Sequence, residues 1–169
     1  MIELERCAER HLEGMASLLS DPDVHRFTRV PVPVPDGFSA RWLESYEQGR
    51  RDGTRELFAI VGSMDRAFLG LAMAPRIDRE ARTMEVGYVI APSARGRGVA
   101  TAALGELTGW AFVTAGALRL ELMISVENEA SKRVASRCGY IREGILRSVY
   151  LKQDLREDVE IWSRLPNDA

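Results

Sequence analysis

The sequence predicts an α/β domain built on one mixed sheet, and three observations carry that prediction. Short runs of strand-forming residues recur along the chain. Segments with apolar side chains at helical spacing interrupt them. One glycine-rich turn joins a strand to a long helical segment, as in a crossover unit. With 169 residues, 46% of them hydrophobic, the chain is large enough to bury a core without disulfides or metals.

The elements follow in order. Residues 2–7, I-E-L-E-R-C, alternate apolar and charged side chains at the period of a half-buried strand. Leu12, Met15, Leu18 and Leu19 then recur at helical spacing until D-P-D breaks the pattern. The stretch V-P-V-P-V-P-D-G at 30–37 reads as an extended loop, because proline lacks an N–H and restricts the residue before it. Asp36 or Ser39 is expected to cap the next helix, A-R-W-L-E-S-Y-E-Q-G-R-R, which sets Trp42, Leu43 and Tyr46 on one side. L-F-A-I-V-G, the turn M-D-R and A-F-L-G-L-A-M-A read as a hairpin. The polar turn R-I-D-R-E-A-R and the strand T-M-E-V-G-Y-V-I-A extend it to a meander.

Residues 98–116 read as a helix with Val99, Ala103, Leu107, Trp110 and Thr114 along one stripe and Gly116 as its stop. Gly105 and Gly109 cost this helix about 1 kcal/mol each relative to alanine, and close packing on the sheet is the expected reason for them. The strand L-R-L-E-L-M-I-S-V and a short helix closed by Gly139 come next. The strands Y-I-R-E-G-I-L-R-S-V-Y-L and E-D-V-E-I-W-S-R-L, joined by K-Q-D-L-R, complete the chain. No repeat or linker interrupts the pattern, so residues 1–169 are expected to form a single domain.

Composition narrows the function classes. The 23 basic residues nearly balance 25 acidic ones, so no overall positive field would attract nucleic acid or an anionic membrane, and an anion site must be local. Cys7 and Cys138 lie far apart without metal-ligand spacing, so no metal site is expected. No apolar run approaches the ~20 residues of a membrane span, and the acidic start M-I-E-L-E-R is unlike a secretory signal; a cytoplasmic protein is expected. His11 and His25 are isolated, are expected to be exposed, and receive no role.

The motif that carries chemistry is A-R-G-R-G-V-A, after the strand M-E-V-G-Y-V-I and before the long helix. In a strand-turn-helix of this kind, main-chain N–H groups and the positive end of the helix dipole converge on an anion. Glycine lets a phosphate approach the backbone, and Arg95 and Arg97 add charge. A P-loop would need a lysine that is absent here, and a dinucleotide fingerprint would need glycine where Thr101 stands.

Arg95-Gly96-Arg97-Gly98-Val99-Ala100 matches the acetyl-coenzyme A motif [QR]-x-x-G-x-[GA] of the GNAT acyltransferases, and the chain resembles that family over most of its length. N-E-A-S-K-R-V-A-S-R-C-G-Y is similar to the N-x-x-S-x7-G-[FY] segment of the RimJ/RimL-like branch, which acetylates protein N-termini. The resemblance implies the GNAT fold, a mixed and mostly antiparallel sheet of about seven strands flanked by helices. It implies transfer of acetyl from acetyl-CoA, as co-substrate, to a primary amine on a protein N-terminus or a small molecule. A homodimer through the final strands is also in keeping with it. An inactive acyl-CoA-binding sensor is the alternative.

Attack on a thioester requires a neutral amine, although an α-amino group has a pKa near ~8. Glu85 is the candidate base, where family members often carry an acid; a carboxylate paired with an arginine is the plainer reading. Burial near Tyr88 would raise its pKa. The resemblance implies a main-chain donor for the oxyanion at Val89 or Ile90, and Gly87 hints at a bulge that would free it. It also implies that Ser131 serves the leaving thiolate, since Ala135 stands where many members have tyrosine, and that Asn128 binds the pantetheine arm. Ser131 as a hydroxyl bonded to the backbone and Asn128 as an N-cap are the plainer readings. Tyr150 would orient substrate, donate a proton or fill a strand pair. Phe27, Phe38, Trp42 and Tyr46 are candidates for the acceptor pocket. Cys138 is not expected to be a nucleophile.

Overall fold

Seven strands pair into one sheet in the order β1-β2-β3-β4-β5-β7-β6: β1 (Ile2–Arg6), β2 (Glu56–Gly62), β3 (Phe68–Asp78), β4 (Thr83–Ile90), β5 (Arg119–Ser125), β6 (Ile141–Lys152) and β7 (Leu155–Arg164). The computed structural model describes residues 1–152 and 154–168. Every neighbouring pair is antiparallel except β4 with β5, the pair joined by the crossover helix.

β2 and β3 are almost continuously apolar because both faces of the sheet are covered. Ile60 and Ala72 pack with Leu104 and Leu107 of α4 (Val99–Gly109) on one face. Leu57 and Leu71, of opposite parity, pack on the other with Met15 and Leu18 of α1 (Leu12–Leu19) and Leu43 of α3 (Phe38–Asp52). The outermost strand, β6, has little cover, and its Ile141, Ile145 and Leu151 side chains are exposed.

Several expectations change. D-P-D does more than end α1: Asp21 caps a further helix, α2 (Pro22–Phe27), by accepting the Asp23 amide at 2.7 Å, with Pro22 in the first turn. Neither Asp36 nor Ser39 caps α3, whose cap is Gly37 in the left-handed conformation without a side-chain bond. β3 runs on through Pro75 to Asp78, so Arg76–Asp78 belong to a strand and not to a turn. The final hairpin is longer than expected, with Lys152 in β6 and Leu155 and Arg156 in β7; Gln153 of the expected linker lies outside the described residues. His11 is buried: Nδ1 accepts the Ala8 amide at 3.0 Å while Nε2 meets Glu5 at 2.7 Å, and burial, aided by Arg10, lowers its pKa.

The α4 stripe also ends early, because a π-helical turn over Trp110–Thr114 rotates Thr114 into solvent. Gly105 and Gly109 are exposed, and a Cβ at either would meet no atom within 4 Å, so close packing does not explain them. Gly105→Ala and Gly109→Ala are each expected to stabilise the fold by about 1 kcal/mol, measured by urea unfolding.

Candidate active site

The parallel pairing of β4 with β5 lasts three steps and ends at Glu85 opposite Glu121. Beyond it, β4 stays with β3, Val89 opposite Leu71, while β5 stays with β7, Ser125 opposite Val159. The strands therefore part, and the β5-facing main chain of Val86–Ile90 is left without a ladder partner. The bulge that accompanies this split is in β3 and not at Gly87: Ala74 and Pro75 stand opposite the single Val86. Proline is tolerated there because a bulge residue owes no ladder hydrogen bond. Gly70 is the glycine that the split region requires, since a Cβ on it would collide with the Val89 carbonyl.

A cavity of about 530 Å³ fills the gap, lined by Gly87–Ile90, Leu122–Ile124, the glycine turn and α5 (Glu129–Arg137). The turn lies at its mouth, with Gly96 at φ 72° and Gly98 at φ 78°. Gly98 is the N-cap of α4, so the first helical amides have no partner within the helix. The amides of Gly96 through Thr101 donate to no acceptor among the described residues.

The two arginines of the motif are placed differently. Arg95 lines the cavity, but its Nε donates to the Ile90 carbonyl at 3.2 Å and its Nη groups meet Asp23 at 2.9 Å and Asp21 at 3.3 Å. It ties the turn to the start of α2. Burial would raise the pKa of Asp21, but the Asp23 and Val24 amides and Arg95 outweigh it and hold the carboxyl low. Arg97 is exposed, reaches the Ser93 carbonyl at 3.4 Å, and is not part of the lining. The donors of the turn are thus mostly main-chain groups.

On the opposite wall, Asn128 caps α5 by accepting the Ser131 amide at 3.1 Å. The Ser131 hydroxyl lies beside Tyr88. The Tyr88 hydroxyl is buried without a hydrogen-bond partner, and burial pushes its pKa up to about 12 against a smaller opposing pull from Ser131. Tyr88 was not a candidate from sequence, because only the split turns a core-facing strand residue toward α5.

Glu85 and Tyr150 come together elsewhere, in a second cavity of about 600 Å³ that also holds Arg29, Arg55 and Arg76. Met123 lines both cavities, so they meet where β4 and β5 separate. Glu85 is largely buried, with 17% of its side chain exposed, and lies 3.7 Å from Arg76. Tyr88 has the opposite strand parity and packs with the α4 side, so it does not bury Glu85. The Arg29 guanidinium stacks 4.7 Å above the Tyr150 ring. Burial raises the Tyr150 pKa, with Glu85 adding and Arg29 opposing.

The aromatic candidates for the acceptor pocket divide. Phe27 lines the first cavity, while Phe38 stacks on Trp42 and Trp42 meets Tyr46 edge to face, along α3 and against the core. Cys138 is buried, its Sγ 3.5 Å from the Thr101 carbonyl, and burial raises its pKa, so a thiolate nucleophile is disfavoured. Among the described residues no group of three His, Cys, Asp or Glu side chains could hold a metal ion, and no helix is long and apolar enough to cross a membrane.

Comparison with known proteins gives the same direction. The family model described as an acetyltransferase (GNAT) domain matches residues 2–141. The chain is 30% identical to the ribosomal-protein-serine acetyltransferase of Escherichia coli (strain K12), over 97% of this chain and 92% of that protein. It is also 30% identical to YdaF of Bacillus subtilis (strain 168) over 62% of this chain, and it spans only 57% of that relative. Among solved structures, RimL, a ribosomal L7/L12 α-N-protein acetyltransferase in complex with coenzyme A, superposes with a TM-score of 0.90 at 18% identity, covering 99% of this chain and 96% of that one. A family match over most of the chain and a relative aligned over nearly all of it leave one assignment: the chain belongs to the GNAT acetyltransferase family, among RimJ/RimL-like relatives.

Proposed function

We propose that the chain is an N-acetyltransferase that moves acetyl from acetyl-CoA directly to a primary amine. The observation that carries this reading is the run of unpartnered amides from Gly96 to Thr101 at the mouth of a cavity that ends where β4 and β5 part. Donors in this arrangement suit a diphosphate, and a Cβ at Gly96 or Gly98 would point into the open space that the phosphates need. The main chain of Gly96–Ala100 would hold the diphosphate, with Arg95 fixing the turn and Arg97 adding charge at its edge. The Asn128 amide group and the main chain of Val89 and Ile90 would hold the pantetheine arm along the split.

Acetyl-CoA supplies an acyl carbon made reactive by a thiol leaving group. The residues around the split would do the rest. Glu85 takes a proton from the acceptor amine, directly or through one water, in the cavity it shares with Tyr150. A main-chain N–H of Val89 or Ile90 donates to the carbonyl oxygen as it gains charge. The new C–N bond forms, the C–S bond breaks, and the Ser131 hydroxyl, which lies beside Tyr88, donates a hydrogen bond to the departing thiolate, which takes its proton from solvent. Tyr150 orients the acceptor within the cavity that it lines together with Glu85.

The test is incubation with acetyl-CoA and a panel of peptides and small amines, read by free thiol and by the mass of the acceptor. Thiol release matched by acetylated acceptor is expected. Thiol release without acceptor acetylation, or an acetylated enzyme, contradicts the direct mechanism.

A further inference from the structure

The cavity that holds Glu85 is unusual in its charge. Three guanidinium groups, from Arg29, Arg55 and Arg76, share its lining with one carboxylate. Arg76 is matched, by Glu85 at 3.7 Å and Glu121 at 3.3 Å. Arg29 and Arg55 have no carboxylate within 4 Å among the described residues. Their contacts are with neutral groups: Arg29 stacks on Tyr150, and Arg55 donates to Ser45 Oγ at 2.8 Å with its guanidinium 5.8 Å from the Tyr46 ring. The chain as a whole carries a formal charge of −2, so this local excess of positive charge does not follow from the overall balance. The three groups face one space. Glu85 and Arg29 both act on the Tyr46 and Tyr150 phenols, and Arg55 acts on Tyr46 as well.

We infer that the acceptor is a primary amine carrying an anionic group, a carboxylate or a phosphate, a few bonds from the nitrogen. The inference rests on the acyltransfer reading above and narrows it to a substrate class. Glu85 would receive the amine, and Arg29 and Arg55, whose planar donors are not committed to any carboxylate, would receive the anion. A linear polyamine suits this cavity poorly. Its first nitrogen would find Glu85, but its remaining cations would lie against two guanidiniums with no counter-charge. An anionic acceptor also accounts for the positions of Arg29 and Arg55, which belong to no sequence motif. One comes from the loop after α2 and the other from the approach to β2, and the fold brings both to the same cavity.

The experiment compares acetyl transfer to serine-initiated peptides that carry Asp-Asp, Asn-Asn or Lys-Lys after the serine. 2-Aminoethyl phosphate against ethanolamine, and spermidine, form the small-molecule arms. The expected result is a kcat/KM for an anionic acceptor about tenfold or more above that of its neutral counterpart, with the cationic acceptors lower still. A preference confined to the Asp-Asp peptide assigns the anion to a peptide carboxylate, and one confined to 2-aminoethyl phosphate assigns it to a small phosphorylated amine. In the doubly substituted Arg29→Gln, Arg55→Gln protein, the anionic-to-neutral ratio should fall about tenfold, mainly through KM. Retained acetyl-CoA binding reports that this variant is folded. Equal use of anionic and neutral acceptors, preference for the Lys-Lys peptide or spermidine, or an unchanged ratio in the variant overturns the inference while leaving acyltransfer intact. Failure of every amine to release thiol overturns both.

Discussion

Glu85→Gln is expected to lower kcat by about two orders of magnitude or more, within the 10²–10⁴ range of general bases, while acetyl-CoA binds as before. Glutamine matches glutamate in size, and Arg76 keeps Glu121 as a partner, so the local packing should survive the change. What disappears is a group that can accept a proton beside the split between β4 and β5. Without it, only the fraction of acceptor that is already neutral can attack, and an α-amino group with a pKa near ~8 is mostly protonated at pH 7. The rate of the variant should therefore climb with pH through that range more steeply than the wild-type rate. Stopped or continuous thiol-release assays over pH 6.5–9 measure both effects, on the order of the intrinsic amine titration. A loss of less than about threefold would remove Glu85 from the mechanism, because a base at this position must supply more than that.

Gly98→Glu is expected to abolish measurable acetyl-CoA binding, raising Kd by about 100-fold or more. Two effects combine. Gly98 sits at φ 78°, where a side chain costs about 1–2 kcal/mol, and a carboxylate would stand among the amides that are proposed to take a diphosphate. Gly98→Asn separates the two, because asparagine tolerates the left-handed conformation and carries no charge. It should bind more weakly than wild type but far more tightly than the glutamate variant. Circular dichroism checks that both variants fold, and calorimetry gives the affinities. Similar affinities for wild type and Gly98→Glu would place the phosphates elsewhere.

What could be read from the sequence was local, and what could not was assembled from distant segments. The glycine turn was legible because its strand, its φ-permissive residues and its helix are consecutive, and the structure has that strand, turn and helix in that order. The Asn128 cap was legible for the same reason. The role of Arg95 is only half visible in the sequence: its place in the turn is evident, but its two carboxylate partners are the cap and the first turn of α2, a helix whose Asp-Pro start reads locally as a break. Glycine in a strand suggests a bulge at Gly87, whereas the irregularity sits across the ladder at Pro75, where a missing N–H is harmless. Gly105 and Gly109 suggest close packing in the sequence, but they stand on an exposed face that does not require it.

The second cavity shows the limit most clearly. Arg29, Arg55, Glu85 and Tyr150 come from four segments, and nothing in the spacing of any one of them announces the others. Only the sheet order, which brings β4 beside β5 and then lets them part, gathers them around Met123. Tyr88 is a similar case, because an apolar-patterned strand gives no sign that one of its hydroxyls will be buried without a partner beside Ser131.

The central claim is that the main-chain amides from Gly96 to Thr101 receive the diphosphate of acetyl-CoA. Titration of the ¹⁵N-labelled protein with acetyl-CoA, followed by amide resonances, tests it at the atoms concerned. The account predicts saturable binding with the largest shifts at those six amides, and smaller ones along Val89, Ile90 and Asn128. Saturable binding that leaves the six amides unmoved, or no binding at all, would contradict it.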